Sequence, residues 1–311
     1  MKETVFGPVA SRRLGRSLGI NIVPEKICTL DCLYCEVCKT ETLTLKRAPY
    51  ISARQILDEF REKYPLLKES TDVVTITGAG EPTLNSELKE IVTGIKSASE
   101  HPVALLTNST LLADKDVANA LLPLDIIVPS LDAVTQDVFE AVDRPFPGLQ
   151  ISEIAEALIS FSRIFSGKLY LEILLVKGVN DSHNDLLKFA ETAKCIRHDK
   201  VQLGTVFRPP AWKGAERISD NELANAGLFL SAQGLNVEHQ GIFSGDIQAK
   251  TMPDMKKQLL ESLLRIRPVT IHDISAGMGI SPAEAEQITA SIDSVQTQTY
   301  DGQTYYSIRD K

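Results

Sequence analysis

Cysteine is scarce in this chain, with five among 311 residues. The opening Met-Lys-Glu-Thr-Val-Phe-Gly-Pro has no apolar core of the kind a secretory leader carries, so a secreted disulfide framework is not expected. No apolar run approaches the roughly eighteen residues a membrane helix needs, and the chain reads as a soluble, cytoplasmic protein with no membrane partner. Positive charge is also short. Lys and Arg total 33 against 41 for Asp and Glu, a net charge of -8. Such a balance argues against a broad phosphate-binding face, disfavouring RNA and making DNA an unexpected partner. The one local basic stretch, Ser11-Arg-Arg-Leu-Gly-Arg16, is explained as well by an exposed loop as by a site.

What cysteine there is lies together. Three of the five stand in Cys28-Thr-Leu-Asp-Cys32-Leu-Tyr34-Cys35. Three thiolates hold a 4Fe–4S cluster by three of its irons and leave the fourth open to a small ligand. A structural zinc site wants four ligands, commonly in two separated pairs, and only one group exists here. Cys32, Cys35 and Cys38 also make a ferredoxin-like C-x2-C-x2-C run, but Thr42 stands where its fourth cysteine belongs. Cys38 either supports the loop or is a bystander, and Cys195 has no assigned role.

Beyond this loop, short β-rich runs alternate with amphipathic segments. Strands are expected at 18–22, 72–77, 103–107, 125–129, 168–176 and 201–207, all Val/Ile/Leu-rich as in sheets buried on both faces. Helices are expected at 53–64, 86–97, 111–121, 152–164 and 185–193, the fourth with Ile154, Leu158 and Phe161 on one stripe. This alternation implies right-handed βαβ units and a parallel sheet, either an open doubly wound sheet or a partial barrel.

The end of the chain has a different pattern. Residues 255–266 place Leu259, Leu260, Leu263 and Leu264 on one side of a helix, and Thr270 and Ser281 each open a capping pattern. Residues 295–307 alternate around Asp301-Gly302, a strong hairpin signal. Three helices and a hairpin predict a small winged-helix domain at 253–311, following an α/β domain at 1–250. Its second capped helix, residues 281–294, holds Glu284, Glu286 and Asp293 and no cation, so it is expected to dock a peptide or protein, or pack on the larger domain, and not to enter DNA.

Thr77-Gly-Ala-Gly-Glu-Pro-Thr83 follows the second strand. Its glycines allow close backbone approach to a ligand, and the Gly78–Gly80 edge with Glu81 suits a charged amino group. Later strand ends supply Asn108, Ser130, Asp132, Lys177 and Arg208, at the edge where ligands collect in parallel α/β folds. Asn180, Asp181 and Ser182 read as helix-capping residues, and Lys177 and Arg208 as partners of an anion or as surface charges.

The C-x3-C-x2-C run with its aromatic Tyr34, and the Gly-Ala-Gly-Glu turn about 45 residues later, resemble the signature of the radical S-adenosylmethionine (SAM) superfamily. The resemblance narrows through Phe6-Gly-Pro-Val-Ala-Ser-Arg-Arg-Leu-Gly-Arg-Ser-Leu-Gly-Ile20, Gly80-Glu-Pro-Thr-Leu84, Leu106-Thr-Asn108, Pro129-Ser-Leu-Asp-Ala133, Asp143-Arg-Pro145, Gly178-Val-Asn-Asp181 and Gln202-Leu-Gly-Thr-Val-Phe-Arg-Pro-Pro210. Together these look like a subgroup of stand-alone proteins related to the wyosine-base tRNA synthases. Wyosine synthases carry a second, amino-terminal cluster motif. No cysteine precedes Cys28, so that cluster and that reaction are not expected.

The resemblance implies a partial (β/α)6 barrel with a 4Fe–4S cluster and SAM as cofactors. Cys28, Cys32 and Cys35 would ligate the cluster. Gly78, Gly80 and Glu81 would hold the methionine moiety, the Tyr34 main chain would lie near the adenine, and Asn108 and Ser130 would meet the ribose or carboxylate of SAM. Asp132 would lie nearby, with Lys177 a further contact. The implied activity is reductive cleavage of SAM to methionine and a 5′-deoxyadenosyl radical, which takes hydrogen from a peptide, protein or RNA base. A flavodoxin- or ferredoxin-like donor would supply the electron. The alternative is a redox-sensing regulator with the winged helix as its reader.

Overall fold

The computed structural model describes residues 3–11, 13–239 and 253–308. Strands β1 (Val5–Ser11) and β2 (Gly15–Asn21) form an antiparallel hairpin. The cysteine segment follows, with β3 (Ile27–Cys28) parallel to β4 (Thr42–Leu43). Then α1 (Ala53–Leu67), β5 (Val73–Thr77), α2 (Leu88–Ala98), β6 (Val103–Thr107), α3 (Lys115–Leu121) and β7 (Ile126–Pro129) alternate. Helices α4 (Gln136–Val142) and α5 (Ile151–Ile164) lead to β8 (Lys168–Leu175), α6 (His183–Cys195), β9 (Lys200–Thr205), α7 (Asp220–Ala232) and β10 (Val237–His239).

Among the described residues these strands make one eight-stranded sheet in the order β1-β2-β5-β6-β7-β8-β9-β10. From β2 onward every pairing is parallel. The order never reverses. A doubly wound sheet reverses at its switch point, so this is the rolled, barrel-type alternative. The six expected strands are all present, and β10 is added at the edge. Central strands are buried on both faces: Ile76, Leu105, Ile127, Leu171 and Leu203 are fully inaccessible. Helix α5 lays Ile154, Leu158 and Phe161 against the sheet, as its spacing requires. Helix α6 starts two residues earlier than expected because Ser182 caps it, accepting from the Asp185 amide.

At the end of the chain come α8 (Pro253–Ile266), α9 (Ile271–Met278), α10 (Pro282–Ala290) and the hairpin β11 (Val295–Tyr300) with β12 (Gln303–Ile308). Thr270 forms a full capping box with Asp273, and Asp301 and Gly302 both have the positive φ of the hairpin turn. Helix α9 lies on β1 so closely that a Cβ on Gly277 would meet the Ala10 amide at 2.9 Å. Tyr305 Oη donates to the Phe207 carbonyl at 2.8 Å, tying the hairpin to the segment after β9. The expected boundary between two domains, near residue 250, lies outside the described residues, as does Arg12 of the basic stretch.

Candidate functional site

The site is built at the carboxyl ends of the parallel strands, with the cysteine loop laid across them. Glu81, after β5, donates its amide to the Ile27 carbonyl (3.0 Å), and Ala79 donates to the Val23 carbonyl (3.1 Å). The Gly78–Glu81 turn is thus zipped to the segment that carries Cys28. Gly80 is required there for a reason the sequence reading assigned to a ligand: a Cβ would sit 1.7 Å from the Ile27 carbonyl oxygen. The close approach is between two stretches of this chain.

A second clasp comes from the end of α4. The Asp31 and Leu33 amides donate to the carbonyls of Asp143 (3.0 Å) and Val142 (2.9 Å), and the Phe146 amide donates to the Thr29 carbonyl (2.9 Å). On the far side, the Ala211 amide donates to the Cys35 carbonyl at 2.8 Å. Cys28 is buried, while Cys32, Cys35 and Cys38 are partly accessible.

The thiols surround one buried cation. Lys26, 8% exposed, hydrogen-bonds Cys35 and feels the charges of Cys28 and Cys32 as well. Burial alone would lower its pKa, and the three sulfurs reverse that and raise it. Cys32 is raised by burial and then by Asp143, whose Oδ1 accepts from Cys32 Sγ at 3.4 Å. Cys28 is raised by burial and opposed by Lys26. Among the described residues no three His, Cys, Asp or Glu side chains converge on a single metal ion. A cube of four irons instead takes its cysteines at separate corners, so convergence on one ion is not required of these thiols.

The other expected site residues fall into two groups. Glu81 is buried, and its Oε1 accepts from Thr83 N (3.1 Å), Thr83 Oγ1 (2.6 Å) and Thr107 Oγ1 (2.7 Å). Its Oε2 accepts from the Asn108 amide at 2.9 Å. Burial raises its pKa against those four donors, and among the described residues no cation pairs with it. Asn108 spends its side-chain amide on Thr29 Oγ1 (2.8 Å) and on Cys28 Sγ (3.6 Å), aligning the first thiol. Ser130 Oγ donates to Glu172 Oε2 at 3.2 Å. Asp132 is buried, accepting from the Leu174 amide (2.7 Å) and from the Tyr34 hydroxyl, and burial raises its pKa.

Lys177 is half exposed and pairs with Glu222 on α7 at 3.8 Å. Asn180 is fully buried and locks the end of β8, accepting from the Val176 amide (2.7 Å) and donating to the Asp132 and Leu174 carbonyls, both at 2.8 Å. The sequence reading gave no role to Lys26, Asp143, Glu36 or Arg267. Asp143 stood inside a quoted motif, and Arg13 inside the basic stretch.

A parallel sheet with unreversed strand order, crossed at its carboxyl edge by three gathered thiols, defines a class. A profile of the Radical SAM superfamily matches residues 22–190, and the chain belongs to that superfamily. Within it the chain sits with the UPF0026 proteins: it is 35% identical over 271 residues to the UPF0026 protein of Helicobacter pylori (strain J99), covering 86% of each chain. It is also 33% identical over 274 residues to a Brachyspira hyodysenteriae protein named GTPase Obg, spanning 88% of this chain but only 40% of that one.

Among solved structures, a radical SAM methyltransferase from Sphaerobacter thermophilus aligns with TM-score 0.56 at 19% identity, over 72% of this chain and 66% of that one. Native anSMEcpe with bound AdoMet aligns with TM-score 0.52 at 17% identity, over 72% of this chain and 63% of that one. At these identities the likeness is one of fold. The chain is an enzyme, and the cofactors of its superfamily are a 4Fe–4S cluster and SAM. No described helix is long and apolar enough to cross a membrane.

Proposed function

We propose that Cys28, Cys32 and Cys35 ligate one 4Fe–4S cluster, and that the enzyme uses it to abstract hydrogen from its substrate. The observation that carries this reading is that the loop bearing these three thiols is fastened by backbone hydrogen bonds across the sheet edge where Glu81 lies, with the buried Lys26 acting on all three. When bound and reduced, the cluster supplies one electron that breaks SAM into methionine and a 5′-deoxyadenosyl radical, the species that takes hydrogen from the substrate. Lys26 offsets the negative charge of the thiolates. Asn108 aligns Cys28, and the Asp143 carboxylate accepts from Cys32 until metal replaces the proton.

The SAM ammonium is assigned to the Gly78–Gly80 backbone edge and to Glu81 Oε2. Among the described residues that oxygen is engaged by a single donor and belongs to a buried carboxylate with no cation partner. The Tyr34 main chain, Asn108, Ser130 and Asp132 lie around the same edge and complete the SAM site in this reading. Residues 1–250 form the cluster-binding domain, and 253–311 a winged-helix-like one whose α9 rests on β1.

The electron donor is assigned as a flavodoxin- or ferredoxin-like protein. Trp212 lies between Lys39 (3.7 Å) and Arg144 (3.9 Å) beside the cysteine loop, a basic aromatic stack that suits an acidic donor.

Anaerobic reconstitution, dithionite reduction and addition of SAM are expected to yield 5′-deoxyadenosine, and Cys32→Ala to abolish it. A fully loaded cluster that leaves SAM intact would refute the reading.

A further inference from the structure

Three arginines from distant parts of the chain meet beside Cys35. Arg13 comes from the β1–β2 turn, Arg208 from the segment after β9, and Arg267 from the end of α8. All three line one cavity of about 170 Å³, together with Cys35, Leu174 and Phe207. Leu174 belongs to β8 and Phe207 follows β9, so the cavity opens where the strands end and Cys35 stands.

Not every donor in this cluster finds an acceptor among the described residues. Arg13 Nε donates to Glu172 at 2.6 Å. Arg208 Nη1 donates to Glu36 at 2.9 Å and its Nη2 lies 3.6 Å from Asp273. Arg267 Nη1 reaches Glu36 at 3.4 Å. Three guanidiniums thus face three carboxylates, and those carboxylates have other duties. Asp273 accepts from the Thr270 amide as a helix cap, and Glu172 accepts from Ser130. Each guanidinium carries five N–H donors and no acceptor. Among the described residues, Arg208 Nε and Arg267 Nε are buried with no hydrogen-bond partner, and the Arg208 residue is only 6% exposed. Buried donors without acceptors are costly, roughly 1–3 kcal/mol each, and natural structures keep few of them.

We propose that this cavity is the substrate pocket and that it takes a small aliphatic monocarboxylate, its two oxygens received by Arg208 and Arg267. Planar guanidinium forks match a carboxylate. The walls Leu174, Val206 and Phe207 suit an aliphatic body. One charge is preferred over two because each guanidinium already has a carboxylate partner, and a dianion such as phosphate would bring a second added charge into a buried place. The volume is well below the roughly 300 Å³ at which drug-sized pockets begin, so the substrate is small. Burial and the neighbouring Arg208 depress the pKa of Arg267, beyond what Glu36 and Asp273 restore. The end of the chain is then part of the site, since α8 delivers Arg267 and α9 delivers Asp273.

This pocket rests on the cluster assignment above, because it places the ligand beside Cys35. Its test is independent of SAM cleavage. The anaerobically reconstituted, reduced full-length protein is mixed with straight-chain carboxylates from acetate to hexanoate, and their proton NMR linewidths are followed. Broadening by the paramagnetic cluster is expected for a short-to-medium member of the series, absent with cluster-free protein, and insensitive to added inorganic phosphate. Arg267→Met, verified by iron content, is expected to weaken that broadening at least ten-fold. Should Arg267→Met fail to load a cluster, Arg267→Lys, which keeps the charge without the fork, is expected to weaken it several-fold. Loaded protein that broadens no carboxylate, broadening that survives in the loaded Arg267 variant, or displacement by phosphate would each overturn the proposal. Protein that takes up no cluster would instead refute the reading of the cysteines, and the pocket with it.

Discussion

Gly80→Ala separates two explanations of the glycine-rich turn. If Gly80 serves a ligand, the variant should load its cluster and fail only with SAM. The structure requires an earlier failure. The new Cβ would lie 1.7 Å from the Ile27 carbonyl oxygen, whereas ordinary contact begins near 3.4 Å, so the two backbones must part by about 1.7 Å. No flexible side chain can give way. The Glu81 amide then loses the Ile27 carbonyl, leaving a buried donor that costs about 1–3 kcal/mol. Overpacking adds about 1–3 kcal/mol. A cost of about 2–6 kcal/mol therefore falls one residue from Cys28. Iron and sulfide content after anaerobic reconstitution is expected to drop several-fold, with a lowered melting temperature. Gly78→Ala makes a useful contrast: its nearest contacts are 3.0 Å to the Gly80 carbonyl oxygen and 3.1 Å to Val23, so small shifts relieve it and cluster content should stay near wild type. Full cluster content in Gly80→Ala at unchanged melting temperature would refute the packing argument.

Glu81→Gln removes the buried charge assigned to the SAM ammonium. SAM affinity, measured anaerobically by calorimetry, is expected to fall about 10- to 100-fold, the worth of a charge-assisted hydrogen bond; an unchanged affinity would show that the carboxylate only braces Thr83, Thr107 and Asn108. Asn180→Ala removes three buried hydrogen bonds and should cost about 2–3 kcal/mol, a drop in melting temperature of about 4–12 °C, and a smaller drop would mean that water replaces the amide. Glu59 accepts from Thr4 N (2.9 Å), Thr4 Oγ1 (2.7 Å), Val5 N (3.1 Å) and Lys63 Nζ (2.8 Å). Burial raises its pKa, but these donors win and lower it. Its stabilisation is therefore complete above the unfolded glutamate value of about 4.3 and is lost as pH falls through the lower folded value. The melting-temperature gap between wild type and Glu59→Gln should be constant from about pH 6 to 7 and narrow below about pH 4; a gap that widens in acid would contradict the sign.

What could be read from the chain, and what could not, follows from how far apart the cooperating residues stand. The cysteine loop is local: three thiols within eight residues carry their meaning in their spacing. The parallel strands are nearly as legible, because burial on both faces writes continuous apolar runs such as Val103–Thr107. Strand β1 was missed because Gly7 and Pro8 interrupt it, and β10 because three residues are too few to show a period. The functions of individual polar residues were harder. Gly80 looks the same in sequence whether it approaches a ligand or the Ile27 carbonyl, and Lys177 at a strand end looks the same whether it faces the mouth or Glu222. Least legible was the arginine cluster. Arg13, Arg208 and Arg267 lie near opposite ends of an acidic chain, and their charges disappear into a net of -8. Only folding sets them beside Cys35, and only a count of donors against acceptors reveals a deficit. The acidic balance that argued against a large polyanionic partner thus never bore on this pocket. Bulk charge describes the outer surface, whereas a buried site is decided by the hydrogen bonds left unmade within it.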